Sequence, residues 1–81
     1  MAKTSYEKST TREEHLIWCK FRAHQYLDQG QISHAIASIQ SDLQKHSATK
    51  NHKAIALASR LLIARRLGTI AEVRQFVDSI Q

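Results

Sequence analysis

An all-α domain of about four helices is the fold class this chain predicts, and three observations carry that expectation. Its 81 residues include no proline and only two glycines, Gly30 and Gly68, which is too few turn formers for a sheet protein of this size. Apolar residues recur at three-and-four spacing from Leu16 to Ile80. Good helix formers (alanine, leucine, glutamine, lysine, arginine) fill the segments around the two glycines. The length allows one domain, read as a single helical unit over 11–81 behind a flexible, Ser-, Thr- and Lys-containing lead-in at 1–10.

The first helix is expected from about Arg12 to Gln29. Thr11 and Glu14 have the spacing of a capping box, in which each side chain satisfies a free amide at the helix start. Leu16, Cys19, Ala23 and Tyr26 form one apolar stripe, widened by Trp18, Phe21 and Leu27. Gly30 ends the helix because it can take the left-handed cap conformation. The second helix runs from Gln31 or Ile32 to about Lys45, with Ile32, Ala35, Ile36, Ile39 and Leu43 inward and Ser38, Gln40, Ser41 and Gln44 on a face that reads as solvated.

The segment His46 to His52 breaks the pattern, and Ser47, Thr49 or Asn51 can cap the next helix. This third helix is expected from about Lys53 to Leu67, stopped by Gly68. It is apolar on most sides, which predicts a central position or cover from another chain, with Ile55, Leu62 or Ile63 as the seam. A fourth starts near Thr69 and ends near Ser79, with Ile70, Val73, Val77 and Ile80 as its stripe. The arrangement predicted is two antiparallel helical hairpins. Gly30-Gln31-Ile32 and Gly68-Thr69-Ile70 superpose at an offset of about 38 residues, a hint of an internal repeat.

Ala23, Tyr26, Gly30 and Ala35 stand where the tetratricopeptide repeat places a small residue, a tyrosine, a glycine turn and an alanine. The segment 23–43 thus resembles part of such a repeat, while Asp42 replaces a small residue and no proline closes the unit. The resemblance implies a helical-hairpin interaction surface and no catalysis.

The chemistry-bearing residues are sparse. A lone Cys19 excludes an internal disulfide and a multi-cysteine zinc site, and its position on an apolar stripe reads as packing. His15, His24, His34, His46 and His52 have no chelating i, i+4 pair among them and read as scattered surface residues. No phosphate loop or nucleophile elbow is present, so no enzyme and no cofactor is expected. No stretch is long and apolar enough to span a bilayer, and the polar start carries no apolar signal core, so a cytoplasmic setting without membrane contact is expected.

The formal charge is +5, and its distribution says more than its total. No acid lies between Asp42 and Glu72, whereas Lys45, Lys50, Lys53, Arg60, Arg65 and Arg66 do. Ala64-Arg65-Arg66-Leu67-Gly68 also resembles the start of a helix-turn-helix, but Val73 falls one residue early and only Arg74 and Gln75 are offered as base readers.

The function expected is that of a small non-enzymatic adaptor, regulator or inhibitor docking on another protein through a helical face. Trp18 and Phe21 would anchor it, with Trp18 the more exposed aromatic, and the cations Arg22, Arg60, Arg65 and Arg66 would steer and orient it. The alternative is a nucleic-acid-binding regulator using Lys45, Lys50, Lys53, Arg65 and Arg66, and a homodimer is a third option.

Overall fold

A computed structural model of the chain describes residues 10–81. The lead-in expected at 1–10 falls outside the described residues except for Thr10. Among the described residues there are four helices: α1 (Arg12–Asp28), α2 (Ile32–Leu43), α3 (Lys53–Ile63) and α4 (Ile70–Ser79).

The start of α1 is fixed by the capping box its sequence announces. Thr11 Oγ1 accepts from the Glu14 amide at 3.1 Å, and Glu14 Oε1 accepts from the Thr11 amide at 2.9 Å. The Thr11 amide, and secondly the Thr11 hydroxyl, hold the Glu14 carboxyl below its usual pKa. The same device opens α4, where Thr69 and Glu72 exchange bonds of 3.1 Å. The end of α1 is a Schellman turn. Gly30, at φ 74°, donates to the Leu27 carbonyl, and Gln31 donates to that of Tyr26.

The cap of α3 is neither Ser47, Thr49 nor Asn51. His52 fills the place, its Nδ1 accepting from the Ala54 amide at 3.0 Å. Thr49 is fully buried instead, and its hydroxyl donates to the Leu43 carbonyl at 2.6 Å, which ties the connecting loop to the end of α2. The stop of α3 also differs from expectation. The helix ends at Ile63, and the left-handed residue after it is Arg65, at φ 60°, while Gly68 has no positive φ. The Arg65 amide bonds the Leu62 carbonyl and the Arg66 amide bonds that of Leu61, a Schellman pattern with an arginine in glycine's place. A helix-turn-helix with its turn at Gly68 is therefore not formed.

The core collects the stripes: Leu16, Cys19, Ala23 and Leu27 from α1, Ala35, Ile36, Ile39 and Leu43 from α2, and Val73, Phe76 and Val77 from α4, all buried. The closest packing is between α1 and α2; α4 docks on both of them. Ala23 and Ala35 are completely buried, and small side chains there let the two backbones approach. Helix α3 is not central. Among the described helices its one close neighbour is α2; it buries fully only Ala54 and Ala58, and it makes no close backbone approach to α4. Gln40 pins it to α2, its amide donating to the Ile55 carbonyl at 3.0 Å and to Ser59 Oγ at 3.1 Å. The face of α2 read as solvated is thus only partly so: Ser38 is buried and Gln40 half-buried.

Candidate partner-binding surface

Two groups of unusual residues stand out, one internal and one on the outside. The internal group surrounds Asp42, which is 1% exposed near the end of α2. Its Oδ2 accepts from Arg22 Nε at 2.7 Å and from Ser38 Oγ at 3.0 Å, and its Oδ1 meets Lys45 Nζ at 3.0 Å. The Arg22 guanidinium and the Lys45 ammonium also lie over the Trp18 ring, 5.0 and 5.4 Å from its centre. Trp18 in turn stacks on buried His15 at 5.5 Å.

Trp18 is therefore half-buried and packed against the core, and the more exposed aromatic of α1 is Phe21, at 60%. Ile17, one turn earlier on the same face, is exposed too. On a helical wheel Phe21 lies nearly opposite the Leu16–Cys19–Ala23–Tyr26 stripe, whereas Trp18 lies nearer its edge, where His15, Arg22 and Lys45 cover it.

The Cys19–His15 pair within this group resembles a nucleophile with its base only in composition. His15 Nε2 sits 2.7 Å from the Asp42 carbonyl oxygen, so this nitrogen carries the proton and donates. It is the same nitrogen that lies 3.4 Å from Cys19 Sγ, and a protonated nitrogen takes no proton from the thiol. Burial, and secondly the charge of Asp42, push the thiol up to about 12, the opposite of activation.

Four of the five histidines act as tethers rather than scattered surface groups, while His34 is exposed as expected. His15 joins α1 to α2, His24 Nε2 donates to Asp78 at 2.7 Å, His46 Nε2 donates to the Thr10 carbonyl at 2.8 Å, and His52 Nε2 donates to the Gln81 carbonyl at 2.8 Å. His15 and His46 are both buried, with rings 5.2 Å apart.

Burial is the main cause holding the His15 pKa below the ordinary 6.5, opposed by its bond to Asp42 and reinforced by nearby His46. The unfolded chain takes up this proton near pH 6.5 while the folded chain resists it. Stability from this group is therefore complete above that pH and is lost as the pH falls below it. The expected result is a thermal midpoint that is level from about pH 8 to 7 and declines on further acidification, with a shallower decline in His15→Gln. An identical acid profile in both proteins would contradict the assignment.

The outer group belongs to α3 and its C-terminal turn. Ile63 is 84% exposed and Leu62 45%, with Arg60, Arg65 and Arg66 exposed around them. Lys53 and Arg60 share a face, seven residues apart along the helix. Leu57 is part-exposed on the flank turned toward α4, and between these two helices runs a groove. One end of it encloses about 370 Å³ beside Leu61, Arg66, Leu67 and Gln75, and the other about 220 Å³ beside His52, Lys53 and Ile80. Leu57, Phe76 and Ser79 line both ends, so the trough is continuous.

Arg60 stands exposed on the last turn of α3 and Arg65 and Arg66 just after it, whereas Arg22 and Lys45 belong to the Asp42 network. Lys50 lies exposed in the loop before α3, and exposed Lys53 at its first residue. The exposure of Ile17 could have been read from its place on the side of α1 away from the apolar stripe; the α3–α4 trough has no separate signature in the sequence, since it depends on which helix sides remain uncovered after packing. Among the described residues no group of His, Cys, Asp and Glu is gathered as metal ligands, and no helix is long and apolar enough to cross a membrane. Comparison with known protein families, curated proteins and solved structures gives no match to this chain.

Proposed function

We propose that this chain is a small non-enzymatic adaptor or regulator that docks on another protein through the outer surface of α3, in a cytoplasmic setting. The observation that supports it is the mixture there: Ile63 stands exposed three residues after exposed Arg60 on one side of α3, and Leu62, Arg65 and Arg66 are exposed at the same end of this peripheral helix. Large aliphatic side chains beside arginines are what protein interfaces use for burial and orientation. A left-handed arginine at position 65, where glycine would be free of strain, places a charged side chain at the tip of the same surface. Phe21 and Ile17 on α1 offer a second, smaller contact.

Apolar anchors amid the cations favour a protein over nucleic acid, since phosphate binding gains nothing from an exposed isoleucine. They also speak against self-pairing through α3. An isologous dimer centred there would set each copy's arginines against their equivalents.

The test is a tagged pull-down from the native cell, with and without nuclease, using the natural chain and Ile63→Glu. Because Ile63 is 84% exposed, the substitution should change stability by no more than about 0.5 kcal/mol. The expected outcome is a protein partner retained after nuclease and held at least about tenfold more weakly by the variant. Loss of every partner on nuclease treatment would transfer the function to nucleic acid, with Lys50, Lys53, Arg65 and Arg66 as the contacts.

A further inference from the structure

The groove between α3 and α4 has a shape and charge that name its occupant more narrowly than a helical face does. Its floor is apolar, built on Leu57, Leu61 and Phe76, and it runs the length of an 11-residue helix, about 16 Å at 1.5 Å per residue. Its α3 rim is basic: Lys53 at one end, Arg66 at the other, and Arg60 on the same helix side as Lys53. Among the described residues the one acidic side chain in its wall is Glu72, whose carboxylate is engaged by the Gly68 and Thr69 amides. Gln75 and Ser79 give the α4 rim neutral polar groups.

We propose that this groove receives an acidic amphipathic helix of the partner, its apolar residues on Leu57, Leu61 and Phe76 and its carboxylates toward Lys53, Arg60 and Arg66. The proposal rests on the docking reading and specifies the chemistry of the docked segment. Helix-in-groove recognition needs apolar anchors at i, i+3 or i+4, and i+7, and three turns of partner helix supply them over this length. A second copy of this chain fits poorly, because its own α3 would bring the same cations to the rim. A nucleic-acid strand would lay its phosphates along a wall that holds Glu72 and a floor that offers it no cation.

The probe is a synthetic peptide of about 14 residues with leucines at i, i+3, i+4 and i+7 and glutamates elsewhere, titrated into the full nitrogen-15-labelled chain. Two controls accompany it: the same composition scrambled, and a version with lysine for glutamate. The expected result is amide shifts concentrated at Leu57, Leu61, Arg66, Gln75 and Ser79, with both controls at least about tenfold weaker. The double variant K53E/R66E, altering exposed side chains only, is expected to bind the lysine peptide in preference to the glutamate one.

Equal binding of the acidic and basic peptides would overturn the charge assignment, and equal binding of the scrambled one would overturn the helix. Shifts confined to Ile17 and Phe21, or to Ile63, would remove the groove and leave the docking reading standing. No shift at up to about 1 mM peptide would remove the groove as well. Groove shifts with a mixed-sequence DNA duplex but none with the peptide would sink both readings.

Discussion

Asp42→Ala is expected to lower the folding free energy by about 2–3 kcal/mol, read as a lower urea midpoint with an unchanged slope. The carboxylate is almost fully buried and takes bonds from Arg22, Ser38 and Lys45. Breaking a fully buried ion pair costs about 3–5 kcal/mol, because the surviving charge is stranded without water. Here the surviving side chains are 38% and 52% exposed, so both cations regain part of their hydration, and the expected loss is smaller. Buried Ser38 loses its carboxylate acceptor, which contributes to the cost. Asp42→Asn keeps the shape and one acceptor oxygen and should fall between the two. An Asp42→Ala protein as stable as the natural chain would mean that this cluster contributes nothing to the fold.

Leu27→Ala should cost more, about 2–5 kcal/mol, the range for truncating a fully buried leucine. Leu27 is 1% exposed at the last turn of α1, and its carbonyl accepts from Gly30 in the turn that sends the chain back along α1. The loss combines transferred methyl groups with a cavity that the α1/α2 interface cannot close without disturbing that turn. In a domain of this size each kcal/mol shifts the thermal midpoint by about 4–8 °C, so a fall on the order of 10–30 °C is expected by calorimetry. A shift of under about 4 °C would show a site that collapses freely, and close packing of α1 against α2 would then be wrong.

The contrast between Leu27 and Ile63 also marks what the sequence could say. Three-and-four spacing tells which side of each rod is apolar, and the starts of α1, α2 and α3 fall at the expected residues. Thr11–Glu14 and Gly30 are readable because each acts within four residues of itself along the chain. The features that escape are long-range. His15, His24, His46 and His52 meet partners between 27 and 54 residues away, and a histidine that ties two elements looks in sequence like one that does not. Asp42 sits on the side of α2 that Arg22 closes from α1, which the pattern of α2 alone does not disclose. The end of α3 departs from expectation for a local reason: glycine is the ordinary left-handed terminator, and the chain uses Arg65 three residues before one is available. The expected central position of α3 fails because an apolar circumference predicts cover without saying what provides it, and among the described helices only α2 comes close.

That single attachment makes the chain's cohesion uneven. Three helices share one apolar centre, and the fourth is fastened by two small alanines, the side chains of Ile55 and Leu61, and a glutamine clasp. Such a rod can lift away at a lower free energy than the global transition requires, leaving the remaining trio intact. A partner gripping α3 would therefore meet an element that is more easily repositioned than the other three described helices, and capture would stiffen it.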